Sequence, residues 1–243
     1  PTFLNAGRSR GGKMISCFLL SMDDSLNSIN YVLNTCAQLS KVGGGVAVDV
    51  TRLRGRNETI KGVENASSGV IPVLKLLEDT FAYVNQLGQR NGAGVAYLNI
   101  FHWDIEEFLD TKKINASEKS RLQTLSIGTI IPNKFMELAQ KGNEYYVFAP
   151  HTVYQATGKH LDEIDLNEEY ESLVNNPKIK KRLLNPRKIL VNISKMQFES
   201  GYPYIMFSDN ANKDHALKEL GRVKMSNLCT EIFQLQETSI IMV

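Results

Sequence analysis

Short apolar runs separated by stretches of helical periodicity constrain this chain more than any other feature. Met14-Ile15-Ser16-Cys17-Phe18-Leu19-Leu20, Val46-Ala47-Val48-Asp49-Val50, Val95-Ala96-Tyr97-Leu98-Asn99-Ile100 and Tyr204-Ile205-Met206-Phe207 have strand length. Runs this apolar need cover on both faces, the condition of a parallel sheet between layers. Strand-like sequence also occurs from Leu122 to Ile131 and from Tyr145 to Phe148. Between the runs, Leu26, Ile29, Val32 or Leu33, Cys36 and Leu39 recur at helical spacing behind a cap at Asp24 or Ser25. Gly43-Gly44-Gly45 ends that helix, although such glycines also let a ligand approach the backbone. Further helices are predicted over about 70–87 with Pro72 in the first turn, 105–109 capped by Asp104, 133–140, 164–175 and 186–199. The polar segment 111–121 has no period and reads as a loop.

With 243 residues and 42% hydrophobic content, the chain can bury a full core as one domain. A formal charge of +2 argues against a dedicated nucleic-acid binder. The cluster Lys178-Ile179-Lys180-Lys181-Arg182 reads as a solvated helix face beside the acidic residues of 162–171. No apolar run reaches membrane-spanning length and no signal-peptide pattern opens the chain. Cys17, Cys36 and Cys229 make neither an even framework nor a metal-ligand spacing, which suits a reducing cytoplasm. Cys36 falls on the buried stripe of its helix and reads as structural. His102, His151, His160 and His215 lack metal-binding spacing, so surface or hydrogen-bonded roles are expected and no metal site is predicted.

The segment Ser226-Asn227-Leu228-Cys229-Thr230-Glu231-Ile232 carries the chemistry. In extended backbone Asn227, Cys229 and Glu231 share one face. An amide to hold a hydroxyl, a carboxylate to take its proton and a sulfur between them suit chemistry on a sugar diol. The alternative is a strand with one buried free cysteine.

Several motifs in order resemble the large, catalytic subunit of ribonucleotide reductase, most like the aerobic class Ib type. They are Pro1-Thr2-Phe3-Leu4-Asn5-Ala6-Gly7-Arg8, Ser16-Cys17-Phe18, Gly43-Gly44-Gly45-Val46, Arg52-Leu53-Arg54-Gly55, Asn91-Gly92-Ala93-Gly94, Tyr97 to Asp104, Asp110 to Lys113, Ser200 to Tyr204 and the Asn227-Cys229-Glu231 triplet. The resemblance implies the first half of a ten-stranded α/β barrel with its central finger loop, the N-terminal ATP domain and the C-terminal half being absent. It implies that Cys229 forms a thiyl radical, that Glu231 is the base on the 3′-hydroxyl, that Asn227 orients the sugar hydroxyls, and that Cys17 is one of two redox cysteines. Thr2, Ser16 and Gly45 match substrate-cradling positions. Asp24, Ser25, Leu26, Arg54 and Lys61 match contacts to an allosteric deoxynucleoside triphosphate or ATP, and Arg121 sits in the 111–121 loop that relays effector identity.

By the same resemblance no cofactor is held by the chain. The radical comes from a small subunit with two Mn or Fe ions, and a thioredoxin- or glutaredoxin-like protein supplies electrons. Expected partners are a ribonucleoside diphosphate, the small subunit, a second large subunit and a missing C-terminal half; nucleic acid and membrane are not expected. The start at Pro1 and the stop at Glu237 to Val243, ahead of the second redox cysteine, imply a fragment or a split-gene product with an open sheet edge. An inert nucleotide-binding fragment and a cobalamin-dependent or anaerobic reductase are the alternatives.

Overall fold

The computed structural model describes residues 2–7, 14–86, 88, 90–235 and 240–242. Pro1 and Arg8 of the N-terminal motif, Leu87 and Gln89 of the predicted helix and loop, and Glu237, Thr238, Ser239 and Val243 lie outside the described residues. In chain order the elements are α1 (Thr2–Asn5), β1 (Cys17–Ser21), α2 (Leu26–Lys41), β2 (Gly45–Asp49), α3 (Ile71–Tyr83), β3 (Ala93–Asn99), α4 (Ile105–Asp110), β4 (Ser126–Ile131) and α5 (Asn133–Lys141). There follow β5 (Tyr145–Phe148), α6 (Pro150–Thr157), α7 (Leu166–Asn175), β6 (Lys181–Leu184), α8 (Pro186–Ser200), β7 (Tyr204–Phe207), α9 (Ser208–Asp214) and β8 (Ile240–Met242).

The main sheet has the order β7-β4-β3-β2-β1-β8. Its strands from β7 to β1 are parallel, as the doubly covered apolar runs require. One face packs Phe18, Leu20, Val46, Val48, Ala96, Leu98 and Ile127 against the helical layer. The other presents Leu19, Ala47, Val95, Tyr97, Ile130 and Met206, covered by Val223 and Met225. The chain therefore lays its own late segment across the concave face of its half-barrel.

Local chemistry sets the element ends. Ser25 caps α2 by accepting the Ser28 N–H at 3.1 Å. Gly43, at φ +87°, ends that helix, with its N–H on the Ser40 carbonyl. Cys36 is fully buried and its thiol is pushed up to about 12 by that burial, in keeping with a packing role.

Three sequence expectations are corrected. The 178–182 cluster is not a helix face: Lys181 and Arg182 lie in β6, which pairs antiparallel with β5 outside the main sheet. Ile179 turns into the core, while Arg182 reaches Glu106 at 2.6 Å. Asp104 precedes α4 without capping it, because its carboxylate accepts the N–H groups of Arg56 at 2.9 Å and Val70 at 3.0 Å instead. The helices α6 and α9 were not anticipated. Beyond β1 the sheet continues to β8, which pairs antiparallel over Phe18 to Leu20, so β8 and β7 are its outer strands among the described residues.

At the C-terminal rim of the strands, ion pairs fasten the covering segment. Lys224 meets Asp162 at 3.3 Å and Glu163 at 3.5 Å, and Arg222 meets Asp165 and Asp209. Arg52 joins Asp162 at 3.0 Å, Glu163 at 3.2 Å and Asp23 at 2.7 Å. Beneath them Asp49 is buried, with one oxygen on the Thr51 N–H at 2.9 Å and the other without a hydrogen-bond partner. Desolvation, then the like charge of Asp162, pushes its carboxyl up from 3.8 to about 7. A raised carboxyl favours folding while protonated. Its contribution is complete below the unfolded value near 3.8 and is lost as pH rises through about 7. Asp49→Asn should therefore flatten the fall in melting temperature between about pH 4 and 7, the interval between the unfolded and folded values. An unchanged pH slope would contradict the burial of an ionisable Asp49.

Candidate active site

The Asn227–Glu231 stretch is not extended. It folds into a tight turn, so the simple alternation of faces expected for a strand is corrected. The cause is Asn227, fully buried, whose Oδ1 accepts the N–H groups of both Glu231 and Ile232 at 3.0 Å. Thr230 closes the turn with φ +64°, and its N–H bonds the Asn227 carbonyl at 3.3 Å. Ser226 Oγ donates to the Ile232 carbonyl at 2.7 Å, drawing the two limbs together. Cys229 sits at the tip and is exposed, which removes the alternative of a buried structural thiol; Glu231 is exposed beside it.

The turn lies over the N-terminal ends of β1 and β2. Asn227 Nδ2 donates to Cys17 Sγ at 3.4 Å, and Cys17 is opposite Gly45 in the parallel register. A Cβ on Gly45 would stand 2.6 Å from Leu228 Cδ2, so the Leu228 side chain packs into the space that the glycine leaves. The Ser16 carbonyl accepts the Gly45 N–H at 2.8 Å. Thr2, exposed on α1, donates its hydroxyl to the Met14 carbonyl at 3.2 Å, tying the N-terminal segment to the strand entry. The fold thus brings Asn227 onto Cys17 and Leu228 onto Gly45, with Cys229 and Glu231 exposed. Burial, Glu231 and Cys17 raise the Cys229 thiol, against the opposing charge of Arg90. Cys229 therefore stays a neutral S–H at neutral pH, the form that can give a hydrogen atom.

Asp24, Ser25, Leu26, Arg54 and Lys61 line one cavity of about 570 Å³ at the start of α2. Arg54 donates its backbone N–H and Nε to the Asp24 carboxylate at 3.2 and 2.6 Å. Lys61 stands on a loop with φ +47°. Buried carboxylates hold that loop: Asp104 through Arg56 and Val70, and Glu58 through Gly55 and Thr152. Arg121 is elsewhere, in a second cavity with Lys75, Glu78 and Thr124. Its loop is pinned where it rejoins the fold, because Glu78 Oε1 accepts the N–H groups of Gln123 and Thr124 at 2.7 Å.

A family model for the ribonucleotide reductase barrel domain matches residues 15–243. The chain belongs to that family. It is 55% identical to the ribonucleoside-diphosphate reductase subunit alpha of Bacillus subtilis (strain 168), over 98% of this chain and 34% of that protein. The corresponding subunit of Mycoplasma pneumoniae is 48% identical over 96% of this chain and 32% of its own length. The large subunit of Variola virus is 37% identical over 98% of this chain and 31% of its own length. The chain therefore spans about a third of the length of these curated relatives.

Within this reductase barrel the structure adds residues that the sequence reading missed. Tyr97 reaches the turn from the middle of β3, bonding the Asn227 carbonyl and Thr230 Oγ1. Arg90 adds positive charge near Cys229. The signal for Tyr97 was a phenol at an inward position of an otherwise apolar strand, a group that needs a partner once buried. His102 is buried and hydrogen-bonded: Nδ1 accepts the Asp104 N–H at 3.0 Å, so Nε2 donates to the Leu53 carbonyl at 2.8 Å.

The three thiols should differ in reactivity. Cys229 should be alkylated first, and Cys36 only on opening of its helix, where each 1.4 kcal/mol of opening free energy is worth about tenfold in rate. Peptide mass spectrometry after timed iodoacetamide treatment checks this. Equal labelling of Cys229 and Cys36 would contradict the site geometry.

Proposed function

We propose that this chain supplies the reducing half-barrel of a ribonucleoside-diphosphate reductase large subunit of class Ib type. The observation that carries the reading is the contact of the Asn227 amide with the Cys17 thiol at the entrance of β1 and β2, in the turn whose tip is Cys229. Membership of the reductase family supports it.

In this reading a Cys229 thiyl radical takes the hydrogen from C3′ of a ribonucleoside diphosphate, and its S–H later returns one. Glu231 accepts the 3′-hydroxyl proton, which lowers the cost of expelling the 2′-hydroxyl as water. Cys17 and a second thiol from outside this chain lose two electrons and close to a disulfide, balancing reduction of the sugar. A thioredoxin- or glutaredoxin-like dithiol then reopens that disulfide. Asn227 Nδ2 exchanges its weak contact with Cys17 sulfur for a sugar hydroxyl, while Oδ1 keeps the turn closed. Thr2, Ser16 and Gly45 border the substrate. A small subunit with a pair of Mn or Fe ions is the radical source.

The cavity lined by Asp24, Ser25, Leu26, Arg54 and Lys61 takes a deoxynucleoside triphosphate or ATP effector in this reading, the two cations of its lining being the groups that would meet phosphate. Arg121 acts on the relay loop. The complete protein works as a cytoplasmic large-subunit dimer.

Cys229→Ser should abolish ribonucleotide reduction in the complete enzyme and leave nucleotide binding near normal. Measured deoxynucleotide formation by that variant would remove the radical role. Separately, Arg54→Ala should weaken effector binding by roughly ten- to a hundredfold, since a charge-assisted hydrogen bond contributes about 1.5–3 kcal/mol. Effector titration of substrate choice reads this, and an unchanged midpoint would move the effector elsewhere.

A further inference from the structure

We propose that Tyr97 is a positioning residue for Cys229, gripping the turn on both sides of the thiol through one buried hydroxyl. The proposal rests on the reductase reading only for its catalytic consequence. Tyr97 is fully buried at the centre of the inner sheet face. Its hydroxyl lies 2.8 Å from the Asn227 carbonyl and 2.7 Å from Thr230 Oγ1. A carbonyl can only accept, so the single phenolic hydrogen goes to Asn227, and Thr230 must donate to the phenolic oxygen. Residues two before and one after Cys229 are thereby held by the same atom.

Thr230 shows why the grip is needed. It is β-branched, yet it adopts φ +64°, a region that such residues rarely occupy without compensation. Its hydroxyl bond to Tyr97 supplies that compensation. The ring itself is seated by Gly128, its partner in the parallel register: a Cβ there would stand 2.4 Å from Tyr97 Cε1. Burial pushes the phenol up to about 12, so it remains a hydrogen-bond donor throughout the physiological range. Hydrogen-atom transfer depends steeply on placement, and a shift of about 1 Å can cost on the order of a hundredfold in rate.

The test uses the complete protein that carries this sequence, as wild type and as Tyr97→Phe, Thr230→Val and Thr230→Ser. Amide hydrogen exchange over 228–232 should quicken about tenfold in Tyr97→Phe and Thr230→Val, the effect of one lost buried hydrogen bond. Exchange around Cys36 should not change, and Thr230→Ser, which keeps the hydroxyl, should match wild type. Ribonucleotide reduction should lose about ten- to a hundredfold in kcat with KM nearly constant, again except in Thr230→Ser. Unchanged exchange at the turn, equal loosening around Cys36, or identical behaviour of Thr230→Val and Thr230→Ser would overturn the proposal. If wild type reduces no ribonucleotide, the functional reading fails, and the exchange comparison still decides whether Tyr97 holds the turn.

Discussion

The structure depends on how the concave face of a parallel sheet is covered. Leu19, Ala47, Val95, Ile130 and Met206 present an apolar surface that water would wet at a cost. Helices α2 and α3 cover the outer face, and Ala211 of α9 reaches the inner one. The inner one is closed by the chain's own segment through Val223, Met225 and Leu228, which brings the reactive turn into the half-barrel. Covering the sheet and placing Cys229 are one physical event.

Three kinds of interaction hold that segment, each suited to its depth. Ion pairs of Arg222 and Lys224 fasten it at the partly exposed rim, where long charged side chains still reach water. The Tyr97 hydroxyl fixes it at mid-depth, where a neutral donor avoids the cost of a buried charge. At the far end Asn227 satisfies two turn amides with one oxygen and touches Cys17 with its other atom. A carboxylate in place of that amide would leave sulfur facing negative charge.

The sequence was legible where periodicity reports burial. The parallel strands follow from doubly apolar runs, α2 from its stripe behind a cap at Asp24 or Ser25, and Cys36 from its position on that stripe. It was misread where tertiary partners outcompete local preference. Asp104 looks like a cap but serves distant amides of Arg56 and Val70. The 178–182 cations look like a helix face, but the chain pairs with β5 and sends Arg182 to Glu106. Asn227, Cys229 and Glu231 alternate in sequence, yet the turn that groups them comes from the Asn227 side chain and the left-handed backbone of Thr230. The Tyr97 contact spans 130 residues, and no local pattern encodes it.

The most direct measurement of the seated turn is a cysteine cross-link between β2 and the segment that covers it. The Cβ position of Gly45 lies 3.5 Å from Leu228 Cβ, within the span of a disulfide. A Gly45→Cys, Leu228→Cys protein, with Cys17, Cys36 and Cys229 changed to Ser, should form the 45–228 disulfide rapidly under mild oxidation. Peptide mapping by mass spectrometry reads the bond. Cross-linking in the native protein that disappears in denaturant is the predicted result. A pair that stays reduced in the native protein, or links no faster than in denaturant, would contradict the account.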